Sequence, residues 1–234
     1  MALTYADIAP EFKNRLDSDA TAQKLLTTIQ NGRGTYKTAN RYAIRVSEDL
    51  GKVLKVHNPV ESINEWDYVN LIPQSLGETQ RLVTEACRDV QNSLNKKQGF
   101  GIKYQEPKFD WNRVNGFIDE LANNPEFHNI EKSFYDQLVN FAENIVDDSI
   151  RDNVGRLYRA GIKTMIVRQA EFNACPWCSE VEGSYDYSEV RDTGNDIWRR
   201  HDNCKCTIDY VTERDSSFYT ERVLNYKEKE RNVR

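Results

Sequence analysis

The chain has 234 residues, with 37 acidic and 32 basic side chains and a formal net charge of −5. Hydrophobic residues make up 38% of it, below the globular average of about 45–50%, and its mean hydropathy is −0.77. The length is enough to bury a core, and no apolar run approaches the roughly 20 residues that cross a bilayer. We therefore expect a mainly α protein with an elongated helical N-terminal region and no membrane span. The acidic balance disfavours a dedicated nucleic-acid binder, since such proteins carry a basic excess.

The opening residues, MALTYADIAPEFKNRLDSDA, do not have the basic and then apolar layout of a secretory signal. We expect the protein to be made in a cytoplasm, where disulfide bonds are rare. Four of its five cysteines lie within 32 positions, whereas Cys87 lies alone on the apolar face of a predicted helix, as a core residue. Clustered cysteines in such a compartment point to metal or redox chemistry.

Residues 1–161 are predicted to form a helical domain. Apolar side chains recur there every three or four positions, the period of an amphipathic helix, and turn residues or prolines separate the segments. Thr4, Asp19 and Asp110 are predicted N-caps of the first, second and fifth helices. The predicted helices are 5–16, 21–30, 36–57, 76–97, 111–122 and 130–160, with a connecting loop at 58–73.

Residues 162–212 are predicted to form a small α+β module. Its segments IKTMIVRQA, GSYDY and CTIDYV have the β-branched or alternating pattern of short strands. Residues 213–234 are mostly charged and have little to bury. We predict that they form a charged C-terminal tail, either a frayed helix or a disordered arm.

The module carries a cysteine pattern typical of a metal site. Cys175 and Cys178 form a CxxC pair, and 22 residues later His201, Cys204 and Cys206 form an HxxCxC sequence. Two thiolates from a tight turn and a second pair from the far side complete a tetrahedron around Zn²⁺. Five candidates compete for four positions, so both a Cys₄ set and a Cys₃His set with His201 remain open.

Free thiols in a small core and a redox pair are the alternatives. A thioredoxin-like CxxC follows a strand and opens a helix, whereas residues 179–183 are predicted to lead into a turn. We interpret the zinc as structural, because the soft ligands close its shell and a strand-rich piece of this size needs a metal to fold. Residues 171–211 hold nine acidic and four basic residues, a balance that disfavours a DNA-reading finger.

Acidic residues cluster on the sixth predicted helix. They suggest a two-metal site, but we interpret them as the solvated face of that helix. They are Glu143, Asp147, Asp148 and Asp152.

A basic stripe is predicted on the third helix, where Lys37, Arg41 and Arg45 recur four residues apart. Such a stripe is either a solvated face or a contact with an acidic partner or with DNA phosphates.

Two pairs of segments carry a resemblance to a known family. VRQAEFNACPWCSEVEGSYDY and DIWRRHDNCKCTIDYV resemble the minor capsid, or head-morphogenesis, proteins of tailed bacteriophages, especially of Gram-positive hosts. Those proteins carry a CxxC, an intervening Gly-Tyr segment and a closing basic-His-x-x-Cys-x-Cys, often with proline where Asp202 follows His201 here. YADIAPEF and NGRGTYKTANRYAIRVSEDLG resemble their helical N-terminal part. The segments cover about a third of the chain.

The resemblance implies a minor structural protein of the virion, made in the host cytoplasm and oligomeric in the particle. It would lie in the capsid interior or at the portal, contact the portal or the major capsid protein, and act in head assembly or DNA ejection. We expect no enzymatic activity. Two alternatives are a zinc-stabilised adaptor that contacts DNA through Lys37, Arg41 and Arg45, and a zinc hydrolase or nuclease that uses Asp202 or Glu180.

Overall fold

The computed structural model describes residues 2–57, 66–124, 126–171, 174–192, 196–201, 204 and 206–221. The fold is mainly α, as predicted, with a small antiparallel sheet near the C-terminus. The helices are α1 (Tyr5–Ser18), α2 (Ala20–Gln30), α3 (Tyr36–Val56), α4 (Tyr68–Gln98), α5 (Trp111–Asn123), α6 (Glu131–Arg159), α7 (Pro176–Glu180) and α8 (Tyr187–Val190). The strands are β1 (Thr164–Gln169), β2 (Gly183–Asp186) and β3 (Thr207–Thr212). Across these ranges no helix has the length and apolar character needed to span a bilayer.

The predicted N-caps at Thr4, Asp19 and Asp110 are confirmed. The Asp19 carboxylate accepts the backbone N–H groups of Thr21 and Ala22 at the start of α2. Asp110 accepts in the same way from residues 112 and 113 at the start of α5. Each of these two carboxylates satisfies donors that have no partner inside the helix, which fixes where these helices begin.

α4 begins earlier than the sequence predicts, at Tyr68 instead of residue 76. The predicted loop at 58–73 is therefore wrong for 68–73, and its residues 58–65 lie outside the described ones. The loop prediction is wrong because Pro73 lies inside the helix and does not end it. Leu71 and Ile72 are fully buried, and their burial outweighs the one backbone hydrogen bond that the proline removes.

α3 is the centre of the helical part. It packs against α1, α2, α4 and α6. Its apolar side chains are buried along one broad face of the helix, including Tyr36, Val46, Leu50 and Leu54. Such a broad apolar face is typical of an amphipathic helix that packs on a core.

The sheet has the order β2-β1-β3, with both pairs antiparallel. Its inner face packs on the helices: Ile166, Ile208 and Tyr210 belong to the same hydrophobic cluster as the helical core. The Tyr210 hydroxyl accepts a hydrogen bond from Gln91 of α4 at 2.8 Å. The hydrophobic core therefore continues across the boundary predicted between residues 161 and 162.

Residues 213–221, assigned to the charged tail by the sequence, pack on the fold. Phe218 is buried, and the guanidinium of Arg214 lies 4.5 Å from the ring centroid of Phe100. Glu221 accepts a hydrogen bond from the buried Ser184 of β2. The expectation of little to bury is wrong here, because a single phenylalanine anchors the segment. Residues 222–234 lie outside the described part of the chain.

Candidate metal centre

The strand register brings the two halves of the cysteine pattern together. Gln169 at the end of β1 pairs with Thr207 at the start of β3. The segment after β1 therefore lies beside the segment before β3. The first leads to Cys175 and Cys178, and the second carries His201, Cys204 and Cys206.

The CxxC pair forms a tight turn of its own. Cys175 is the N-cap of α7, and its sulfur accepts the backbone N–H of Cys178 at 3.4 Å. The prediction that residues 179–183 lead into a turn instead of a helix is wrong for 179 and 180, which belong to α7. The CxxC thus follows a strand and opens a short helix, so the argument from local structure against a redox pair does not hold.

The donor atoms of the five predicted residues lie in two groups of three that share Cys178. His201 Nε2 is 3.2 Å from Cys175 Sγ and 3.0 Å from Cys178 Sγ. The second group is Cys178, Cys204 and Cys206, with 3.8 Å between Cys178 Sγ and Cys204 Sγ. Bonds of about 2.3 Å at tetrahedral angles set two sulfurs about 3.8 Å apart, so this cluster can hold a metal ion.

The cluster is largely shielded from solvent. Cys178, Cys204 and Cys206 are each at most 2% exposed, whereas Cys175 is partly exposed. The edge of the His201 ring meets Trp177, with 5.5 Å between the ring centroids. Burial of this kind strengthens the interaction of thiolates with any nearby positive charge.

One such charge is Arg168 of β1, which sequence reasoning missed. Its side chain is buried, and Nη1 donates to the carbonyl oxygens of Ile197 and Arg199 at 2.6 and 2.8 Å. Nη2 lies 3.7 Å from Cys204 Sγ. Its guanidinium also lies 5.1 Å from the ring centroid of Trp177. The only sign of this role in the sequence is that a charged residue stands at an inward position of a strand.

The second charge is Arg200, next to His201. It donates to Asp147 at 2.6 and 3.0 Å, to Glu143 at 3.1 Å and to the Cys206 carbonyl at 2.9 Å. Glu143 is fully buried and Asp147 is 3% exposed. Their predicted place on a solvated helix face is therefore wrong, because they neutralise a buried arginine.

The charges and hydrogen bonds around the cluster separate the thiol pKa values. A hydrogen bond from the Cys206 thiol, helped by Arg200 and Arg168, lowers the pKa of Cys204 to about 4. The backbone N–H of Cys178 lowers the pKa of Cys175. Burial raises the pKa of Cys178, and the neighbouring Cys204 raises that of Cys206. The polypeptide thus favours the thiolate, the form that binds metals, at Cys204 and Cys175.

The basic stripe on α3 is not a row of three free cations. Arg45 donates to Asp19 and, at 2.6 Å, to Glu48. Lys37 and Arg41 are exposed. The charge of Arg45 is therefore matched by carboxylates, and the stripe offers less to phosphates than its spacing suggests.

The other residues considered for chemistry are Cys87, Glu180 and Asp202. Cys87 is fully buried, and burial raises its pKa to about 12, which confirms a core residue. Glu180 is exposed on α7, and Asp202 lies outside the described residues.

The chain was compared with protein-family models, with curated proteins and with solved structures, and none of them matches.

Proposed function

We propose that this chain is a minor structural protein of a tailed-bacteriophage head, in which a structural zinc ion holds together the two segments beside its C-terminal sheet. The observation that carries the proposal is the convergence of Cys175, Cys178, His201, Cys204 and Cys206. These are the residues of the CxxC and HxxCxC motifs through which the sequence resembles minor capsid proteins.

Zinc is the ion that fits these donors best. Thiolate sulfur and imidazole nitrogen are soft or borderline ligands, and a tetrahedral set of them favours zinc over magnesium or calcium. No carboxylate is among the donors of the two groups in the described residues, which also disfavours the harder cations.

The donor count supports a structural role over a catalytic one. Catalytic zinc has three protein ligands and an open position for water, whereas five donors here compete for four positions. Three of the four cysteines are buried, which leaves a substrate little access. All five donors come from the segments between β1 and β3, so a bound metal would hold those two segments together beside the sheet.

Quantitative mass spectrometry of purified particles tests the role. We expect this chain at a small and fixed ratio to the major capsid protein of the phage or prophage that encodes it. Its absence from particles, with the chain abundant in the infected lysate, would contradict a structural place in the virion. A host protein released by lysis is the control, and it should vary in amount between preparations.

A further inference from the structure

A groove of about 760 Å³ lies between one face of α6 and the segment that leads into α5. None of its described lining residues is one of the five candidate zinc ligands, so it is separate from the metal centre. We call it the α6 groove. The residues that define it here are Phe109, Trp111, Arg151, Arg159, Tyr187 and Arg191.

The wall opposite α6 is fixed in place, although it is neither helix nor strand. The backbone N–H of Gln105 donates to Asn153 Oδ1, and Asn153 Nδ2 donates back to the Gln105 carbonyl, both at 2.8 Å. The hydroxyls of Tyr104 and Ser149 are 2.9 Å apart. Because these bonds hold the wall before anything binds, a ligand would lose little free energy in ordering it.

An exposed tryptophan lies on this wall. Trp111 is 57% exposed, and the edge of its ring system meets Phe109 with 4.9 Å between centroids. Phe109 in turn contacts the buried Phe141 of α6. Tryptophan is among the residue types most enriched at the centres of protein interfaces. Here it is exposed and rests on a rigid base.

A glycine shapes the end of the groove near α8. A Cβ atom at Gly155 would come within 2.9 Å of the Tyr187 hydroxyl oxygen, closer than real contacts allow. The bare helix surface at this position therefore lets Tyr187 lie against α6.

The groove carries unmatched positive charge. Asp148 pairs with Arg151 at 2.7 Å, and Asp110 pairs with Arg113 at 3.0 Å. Lys108 and Arg159 form no salt bridge with any residue that the structure describes. Among the described residues Arg191 pairs only with Asp192, at 3.5 Å, and Asp192 is 88% exposed. The fourth lining carboxylate, Glu106, pairs with Arg88 of α4. Of the lining carboxylates, Asp152 alone is left opposite these three cations within the described lining.

The start of α5 does not offer a phosphate site. The backbone N–H groups of residues 112 and 113 have no partner inside the helix, but they already donate to Asp110. Carboxylates presented by a flexible chain suit the dispersed cations better than a phosphate, which needs several donors at one point.

We propose that the α6 groove binds an acidic segment of a partner polypeptide that carries an apolar side chain. The apolar side chain packs on Trp111, and the carboxylates pair with Lys108, Arg159 and Arg191. This inference goes beyond the proposed function, because it depends on the groove and not on the metal or on the virion.

Calorimetry with blocked hexapeptides tests the proposal on the full chain with its metal. The probe is Glu-Glu-Leu-Glu-Glu-Leu, with Lys-Lys-Leu-Lys-Lys-Leu and Glu-Glu-Gly-Glu-Glu-Gly as matched peptides. We expect saturable binding of the first, and binding of the other two weakened about tenfold or more. Trp111→Ala and Arg159→Glu should each weaken binding about tenfold, and both residues are exposed, so both variants should fold. Lys24→Glu, an exposed charge reversal on α2, is the control and should bind like the wild type.

Three results would overturn the proposal. The first is no saturable binding at about 1 mM of the acidic peptide. The second is equal binding by the Trp111→Ala, Arg159→Glu and Lys24→Glu variants, which would move the peptide to another surface. The third is binding of pyrophosphate or a DNA duplex that Arg159→Glu weakens, with no binding of the peptide, which would make phosphate the ligand.

Discussion

Arg200 and Asp147 form a buried, two-point ion pair between the metal module and α6, with N–O distances of 2.6 and 3.0 Å. Both side chains are less than 5% exposed. The same guanidinium donates to Glu143 and to the carbonyl of Cys206. One side chain thus joins the candidate metal ligands to the helix that forms much of the core.

Replacement of Arg200 should be strongly destabilising. Arg200→Met leaves Glu143 and Asp147 buried without a counter-charge, and the loss of one partner from a buried pair costs about 3–5 kcal/mol. Urea unfolding followed by far-ultraviolet circular dichroism measures the free energy of unfolding. Lys13→Met is the control, because Lys13 pairs with Asp17 on an exposed surface, where a pair contributes at most about 1 kcal/mol. Equal effects of the two substitutions would contradict the importance of the buried pair.

Arg168 should support metal affinity as well as the fold around it. Arg168→Met removes the positive charge 3.7 Å from Cys204 Sγ, and loss of such a supporting contact lowers metal affinity about 10–100-fold. Competition with a chromogenic chelator measures that affinity. Lys163→Met, which removes an exposed charge just before β1, should leave it unchanged. An unchanged affinity in Arg168→Met would mean that the arginine supports the local fold without supporting the metal.

Asp148 should make the stability depend on pH. Burial raises its pKa from 3.8 to about 6, against the opposing effect of Arg151 and Arg113 and together with Asp147 and Asp152. The folded state therefore binds more protons than the unfolded state between pH 4 and 6, so this group lowers stability as pH rises through that window. Asp148→Asn should stabilise the protein by about 1–2 kcal/mol at pH 8. The difference should vanish below about pH 4, where the Asp148 carboxyl is protonated in both the folded and the unfolded state. A difference in stability that is the same at both pH values would contradict the assignment.

Phe218 should anchor residues 213–221. Phe218→Ala removes a buried ring and should cost about 3 kcal/mol or more. Tyr219→Ala is a matched control, because Tyr219 is 67% exposed and its loss should change stability by less than about 0.5 kcal/mol. Thermal and urea unfolding of the two variants measure the difference. Similar stabilities would mean that this segment contributes nothing to the fold.

The sequence predicted the helices well because their signals are local. The apolar period, and the caps at Asp19 and Asp110, depend on residues within a few positions of each other. The start of α4 was missed because Pro73 is a local signal that distant packing of Leu71 and Ile72 overrides. The spacing of the cysteines likewise predicted one cluster, since short motifs of this kind bring ligands together by turn geometry.

What the sequence could not predict depends on partners that are distant in the chain. Asp147 looks like a solvated carboxylate until Arg200, 53 residues away, is placed beside it. The place of Cys178 in both groups of donors depends in the same way on the pairing of β1 with β3, which sets two distant segments side by side.

The most direct test of the central claim is zinc content together with zinc K-edge absorption of the purified chain. We predict one zinc per chain, four sulfur or nitrogen neighbours with Zn–S near 2.3 Å, and no bound water. Cys178→Ser should lose the metal, whereas Cys87→Ala, which removes a cysteine from the helical core, should retain it. A chain that folds fully without metal, or a zinc with an oxygen ligand at an open position, would contradict a structural zinc centre.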